Sequence, residues 1–251
     1  MQEEKDMVDH PIASRAQWLE ARKALLLREK EQTRLRDAVN AERLALPWVK
    51  VEKEYAFHTA AGRRTLAQLF DGRSQLVVYH FMFAPGWEAG CKGCSFVADH
   101  LDGTLPHLNH HDVTLLVVSR APLGEIERYK QRMGWRFPWV SSNGSEFNYD
   151  YQVSLRADDD AAIYNFEAAT NDAKEAAELP GLSAFVRGED GTVYHSYSSY
   201  ARGVEELLAT YMILDRAPLG RNETEIMGWM RRHDEYEDES PATALGEAVT
   251  A

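Results

Sequence analysis

Apolar and polar positions alternate along this chain with two periods, and the breaks between them fall at Gly, Pro, Asn and Asp. From Arg15 toward Leu46 the residues Trp18, Ala21, Leu25, Leu35 and Val39 recur at near-helical intervals, with Arg, Lys and Glu filling the remainder. Ser14 stands at the start with Gln17 three residues on, a capping-box spacing, and Pro47 ends the pattern. One long helix is predicted, too long and too charged to be buried all round. Its apolar stripe is expected to pack on the domain or on a second subunit, the latter as a homodimer arm. Val49, Val51, Lys53, Tyr55 and Phe57 then alternate with Lys50, Glu52, Glu54 and Ala56, which predicts a half-exposed strand. Ala61-Gly62 marks a turn, Thr65 caps a short helix over Leu66–Phe70, and Asp71-Gly72 turns again. Gln75 opens an apolar run through Phe83 that reads as a buried strand.

Further on, Asp112–Ser119 is a second near-continuous apolar run, hence a central strand. Ala121-Pro122 leads into a helix over Leu123–Met133, terminated by Gly134. Phe137–Ser142 is a short strand in which Pro138 points to a sheet edge or a strand end. Asn143–Tyr151 reads as a shaped surface loop. Asp158-Asp159-Asp160 and the Ala/Glu-rich stretch to Glu178 read as a partly helical insertion with a solvated acidic face. Gly181–Val186 and Thr192–Tyr197 flank Gly188-Glu189-Asp190-Gly191, a hairpin signal. Gly203–Leu214 makes a closing helix, Ile226–Tyr236 a short helix anchored by Trp229, and Glu237–Ala251 a disordered tail by composition. The chain thus divides into an N-terminal helical extension over 1–47, a domain over 48–217 with an insertion around 143–180, and a C-terminal segment over 218–251.

Between the two apolar runs lies Ala84-Pro85-Gly86-Trp87-Glu88-Ala89-Gly90-Cys91-Lys92-Gly93-Cys94-Ser95-Phe96, which holds both of the chain's 2 cysteines. Strand, Gly/Pro loop and a helix opening on Cys-x-x-Cys form the local plan of a thioredoxin-like redox site. With the order of the remaining elements this predicts an α/β fold: a thioredoxin-like three-layer arrangement, a mixed central sheet with helices on both faces, plus the long N-terminal helix. Disulfide exchange needs a thiolate near neutral pH, and the N–H groups at a helix start favour one. Cys91 is nearer the helix start and is assigned as the nucleophile; Cys94, one turn in, is the resolving thiol, and Lys92 between them is positioned to stabilise the thiolate further. Two alternatives remain for the pair, inert buried cysteines and a zinc half-site, although no second Cys-x-x-Cys completes a closed zinc site. His107, His110 and His111 follow closely on one another, but Pro106 and Asn109 mark an irregular exposed turn, so a solvated loop is expected.

Composition narrows the partners. The net charge of −12 argues against a nucleic-acid surface, and 44% hydrophobic content is ordinary for a globular protein. No apolar run reaches membrane-span length, and the charged start Met-Gln-Glu-Glu-Lys-Asp does not read as a secretory signal. A cytoplasmic location is expected, where such a cysteine pair is catalytic rather than a structural staple. The partner is then a protein or small-molecule disulfide, and the residues call for no cofactor and no metal.

Across nearly its whole length the chain resembles a bacterial thioredoxin-like family of unknown function whose members are predicted dithiol–disulfide oxidoreductases. The resemblance is carried by Leu46-Pro47-Trp48, Tyr79-His80-Phe81-Met82-Phe83, Trp87-Glu88, Gly90-Cys91 and Cys94-Ser95. It continues through Arg132-Met133-Gly134-Trp135, Phe137–Ser142, Phe147-Asn148-Tyr149-Asp150, Leu179–Ser183, Asp190–His195 and Tyr200-Ala201-Arg202-Gly203. It implies a redox role and supplies no substrate. Set against thioredoxins proper, Trp87 is separated from Cys91 by Glu88-Ala89-Gly90, and the residues between the cysteines are Lys-Gly rather than Gly-Pro. Thioredoxins carry a buried carboxylate on the preceding strand. His80 stands at roughly that place, either as a proton relay for Cys94 or as a core histidine bonded to backbone. The position expected for a cis-proline falls near Leu182 or Ser183, and Pro180 lies about two residues early. Three activities fit: dithiol–disulfide exchange; a thiol peroxidase of peroxiredoxin type, for which Ala89-Gly90 offer no Thr before the cysteine; and a copper- or zinc-binding module using Cys91, Cys94 and a histidine. A partner-binding scaffold with a vestigial dithiol is a fourth reading.

Overall fold

The computed structural model describes residues 10–156 and 158–236; the tail expected over 237–251 lies outside them. Helix α1 spans Arg15–Leu44 and begins on the capping box, with Ser14 Oγ accepting from the Gln17 N–H and Gln17 Oε1 accepting from the Ser14 N–H. Its stripe does not pack on the domain. No residue of α1 is buried, Leu25, Leu35 and Leu44 are exposed, and the foot of the helix meets the domain where Arg43 lies 4.9 Å over the Tyr197 ring.

The alternating segment that follows is not one strand but two, β1 (Val49–Lys50) and β2 (Ala56–Thr59). Glu52, Lys53 and Glu54 are exposed and carry the chain across from one half of the sheet to the other, while Tyr55 and Phe57 drop into the core. The Ala61-Gly62 turn closes a hairpin with β3 (Gly62–Thr65), where Gly62 takes φ +101. Thr65 and Gln68 exchange cap hydrogen bonds at the short helix, which is a 3₁₀ turn over Ala67–Phe70.

The centre is built from β4 (Gln75–His80), α2 (Lys92–Ala98), α3 (Leu105–His110), β5 (Val113–Ser119), α4 (Leu123–Arg132) and β6 (Trp139–Ser141). β4, β5 and β6 run parallel, with Val78 opposite Leu116 and Val118 opposite Val140. Pro138 sits just before β6, where its missing N–H costs nothing and its carbonyl accepts from the Val117 N–H at 2.9 Å. The histidine segment corrects the sequence reading. It is helical, because Pro106 falls in the first turn of α3 where proline is tolerated.

Asn143–Tyr151 is also not a surface loop. It contains the one-turn helix α5 (Phe147–Asp150), whose Phe147 and Asn148 are buried. The insertion that follows holds a small hairpin, β7 (Ile163–Tyr164) with β8 (Glu167–Ala168), and helix α6 (Asn171–Ala176) around Leu155, Ala162, Ala173 and Leu179. Its acidity is not all solvated: Glu178 is 1% exposed, pairs with Arg120 at 2.5 Å and accepts from Ser154 Oγ. The expected hairpin forms as β9 (Gly181–Arg187) and β10 (Val193–Tyr200). The closing helix breaks into a 3₁₀ stretch over Ala201–Leu207 and α7 (Ala209–Leu214). Ile226–Tyr236 is a series of turns with one 3₁₀ turn at His233–Glu235 in place of the expected helix.

The eight-stranded sheet runs β1-β10-β9-β4-β5-β6-β2-β3. Its central strand β4 is parallel to β5 on one side and antiparallel to β9 on the other, which is the thioredoxin-like topology. Both faces carry helical segments, but unequally. On one face α2, α4 and α7 cover Tyr79, Phe81, Val117 and Trp139. On the other, the Ala67–Phe70 turn and α5 cover Val78, Val118 and Phe185.

Candidate functional site

The dithiol sits where β4 gives way to α2. After His80 the chain stays extended, with the Phe81 N–H donating to the Val118 carbonyl and the Ala121 N–H to the Phe83 carbonyl. It then turns through Gly86 at φ +80 and returns so that the Cys91 N–H donates to the Met82 carbonyl at 3.1 Å. Gly90 is required by this return. A Cβ there would lie 2.4 Å from the Phe81 ring and 2.8 Å from the Tyr129 ring. Cys91 is the N-cap of α2, with φ −54 and ψ 136, and Cys94 lies in its first turn. Ser95 fastens the turn: its hydroxyl donates to the Cys91 carbonyl at 2.8 Å and bonds the Tyr129 hydroxyl at 2.8 Å.

The two thiols are free and sit in unlike surroundings. Cys91 is partly exposed and its pKa is lowered to about 6. The Cys94 thiol donating to it is the largest cause; the N–H groups of Cys94 and Gly93 and the Arg232 charge add to it, against burial. Cys94 is 2% exposed, and its pKa is pushed well up by burial and then by the Cys91 thiolate. The Met82 N–H, 3.4 Å from Cys94 Sγ, and the Tyr79 hydroxyl pull the other way. Tyr79 Oη is buried and has no hydrogen-bond partner of ordinary geometry, so it acts on Cys94 as a nearby unpaired donor rather than through a formed bond.

Arg232 and Tyr79 are the residues that sequence reasoning missed. Lys92 is exposed, and the cation that acts on Cys91 is Arg232, whose Nη2 donates to the Gly90 carbonyl at 2.7 Å. No local signal marks it, because it is 142 positions away from Gly90. Tyr79 was legible from strand parity, since side chains two apart share a face. Tyr79 and Phe81 face Cys94, whereas His80 enters the opposite cluster, 5.6 Å from the Phe147 ring and 6.2 Å from the Tyr151 ring. The proton-relay expectation for His80 is thereby overturned. Its Nε2 bonds Ser183 Oγ at 2.8 Å, a side chain rather than backbone, and burial and nearby His195 lower its pKa to about 3.

His107 and His110 lie on α3 and His111 is its C-cap, all three exposed, and among the described residues no group of three or more His, Cys, Asp or Glu side chains is placed to hold a metal ion. Pro180 leads into β9 and accepts from the Tyr164 hydroxyl at 2.8 Å; among the described residues no peptide bond is cis. No helix among them is long and apolar enough to cross a membrane.

The family described as "Bacterial protein of unknown function (DUF899)" matches residues 7–236. The chain belongs to this family. No curated protein matches this DUF899 member. Among solved structures it is similar to a mutant of PrxQ from Xylella fastidiosa, at 15% identity over 63% of this chain and 88% of that one, with a TM-score of 0.41. It is also similar to the peroxidoxin BcpB from Mycobacterium tuberculosis, at 15% identity over 66% and 94% with a TM-score of 0.40. A peroxiredoxin Q mutant from Xanthomonas campestris gives 14% identity over 63% and 90% with a TM-score of 0.39.

Proposed function

We propose that the chain is a dithiol–disulfide oxidoreductase with Cys91 as nucleophile and Cys94 as resolving thiol. The observation that carries this reading is the unlike setting of two free thiols in one helical turn, Cys91 partly exposed at the N-cap with its pKa lowered to about 6, and Cys94 buried with its pKa pushed well up. At neutral pH Cys91 is mostly thiolate, and the thiol of Cys94 holds a proton that it donates to that thiolate. Cys91 Sγ attacks one sulfur of a disulfide R–S–S–R, the S–S bond breaks, and R–S⁻ leaves and takes a proton from solvent. Once Cys91 is consumed in the mixed disulfide, its charge no longer opposes ionisation of Cys94. Cys94 loses its proton and attacks Cys91 Sγ, and the second R–SH departs. Two electrons pass from the dithiol to the substrate, leaving a Cys91–Cys94 disulfide.

Trapping checks the order of events. Cys94→Ser is expected to accumulate the mixed disulfide on Cys91, seen as an adduct by mass spectrometry, while Cys91→Ser loses exchange altogether. Exchange at the wild-type rate in Cys91→Ser would exclude the reading. Hydroperoxide consumption without disulfide exchange would favour a thiol peroxidase instead.

A further inference from the structure

The segment Ile226–Tyr236 lies over the dithiol. A Cβ placed on Gly93 would be 3.5 Å from Met227 Cε, 3.8 Å from Cys91 Sγ and 3.9 Å from Met230 Cε, so both thioether methyl groups and the nucleophile's sulfur surround the same point over Gly93. Met230 is 4% exposed and belongs to the same apolar cluster as Cys94.

Several ties hold this cover down. The Trp229 ring meets Phe96 of α2 edge-on at 5.7 Å. Arg232 clamps the Gly90 carbonyl at 2.7 Å. His233 Nδ1 lies 2.6 Å from Asp99 Oδ1, at the end of α2. Arg132 of α4 pairs with Asp234 at 2.7 Å and Glu235 at 3.1 Å. Met227 is pinned by its own N–H donating to Glu223 Oε2 at 2.7 Å. The cover is therefore attached to the loop before the cysteines, to the cysteine helix and to the neighbouring helix.

We propose that this segment is a roof that restricts the site to low-molecular-weight disulfides and keeps the disulfides of folded proteins from Cys91. The proposal rests on the dithiol reading above. A disulfide in a folded protein arrives with its flanking chain, which must lie against the surface around the attacking sulfur. That surface is occupied by Met227, Met230 and Arg232. A small disulfide needs room only for its two sulfurs and short substituents, and methionine, unbranched and with three rotatable bonds, yields to such a guest. The reaction is the exchange already written: one disulfide enters, two thiols leave, and the electrons come from the Cys91–Cys94 dithiol.

The test offers glutathione disulfide and insulin separately to the fully reduced, full-length protein and follows formation of the Cys91–Cys94 disulfide by mass spectrometry of alkylated peptides. Wild type is expected to be oxidised by glutathione disulfide at least about tenfold faster than by insulin sulfurs at equal concentration. Arg132→Ala removes both ion pairs that hold the roof to α4, and Asp234→Ala removes the shorter of the two, without touching either cysteine. Each is expected to raise the insulin rate by up to about fivefold, the limit for a partly exposed pair, and to leave the glutathione rate within about twofold. Equal rates for the two oxidants in wild type, or an insulin rate unmoved in both variants, would overturn the roof while leaving the dithiol chemistry standing. Failure of both oxidants to form the disulfide would end the dithiol reading, and the roof with it.

Discussion

Tyr79 and His80 leave β4 on opposite faces of the sheet and meet different chemistry. On the Tyr79 face the strand looks onto the start of α2, where the Met82 N–H, the first N–H groups of the helix and the Arg232 guanidinium converge on two sulfurs. On the His80 face it looks onto Phe147, Tyr151 and a serine hydroxyl. Burial presses the groups on both faces toward their neutral forms. Only the first face supplies donors and a positive charge against that pressure, and only there does a buried-side ionisation fall near neutral pH, at about 6 for Cys91. Closeness along the chain therefore says little about electrostatic coupling in a sheet; parity along the strand decides it.

The largest effect that sharpens this comparison is on the silent face. The unfolded chain takes up a proton on His80 near pH 6.5, whereas the buried ring resists protonation down to about 3. Between those values the unfolded state binds more protons, so stability falls as pH falls, by up to about 1.4 kcal/mol for each pH unit from this one group. His80→Gln keeps a polar partner for Ser183 and removes the titration. Chemical denaturation at stepped pH should show a shallower acid slope for the variant than for wild type, while the ultraviolet thiolate titration of Cys91 stays at about 6. A moved Cys91 titration would show that the two faces communicate after all.

Two glycines give the next contrast. Gly90→Ala drives a methyl to 2.4 Å from the Phe81 ring, and Gly181→Ala drives one to 2.9 Å from both Tyr200 and Val153. Each is expected to cost about 1–3 kcal/mol by overpacking. Only Gly90 carries the carbonyl that Arg232 holds, so only Gly90→Ala should also raise the Cys91 titration as the guanidinium is displaced. Equal titrations in both variants would mean that Arg232 contributes no field at the sulfur.

What the sequence made legible was local. The Ser14/Gln17 capping box, the β9–β10 hairpin around Asp190-Gly191 and the placing of Cys91 at a helix start each depend on residues within a few positions of one another. The errors were of a different kind. The alternation from Val49 to Phe57 could not show that exposed Glu52-Lys53-Glu54 separates two strands bound for distant parts of the sheet. Asn143–Tyr151 looked like loop because its Asn, Gly and Ser are turn formers, yet Phe147 anchors it in the core. Arg232 and the roof depend on contacts across most of the chain, and no periodicity encodes those.

The smallest predicted effect isolates the second chemical step. The buried Tyr79 hydroxyl has no hydrogen-bond partner and is the unpaired donor that favours the Cys94 thiolate. A hydrogen bond to a charged group contributes about 1.5–3 kcal/mol, so Tyr79→Phe, which removes the donor available to the thiolate, should raise the Cys94 pKa further. The thiolate population then falls, but a more basic thiolate is a better nucleophile, with a Brønsted coefficient of about 0.4–0.5 that offsets nearly half of the loss. The mixed disulfide on Cys91 should consequently live about threefold to tenfold longer, by rapid quench and mass spectrometry, with its rate of formation unchanged. His80→Gln, one residue along and facing the other way, should leave that lifetime alone. If both substitutions lengthen it equally, the sheet is flexing as a unit, and parity is not what sets the chemistry of the pair.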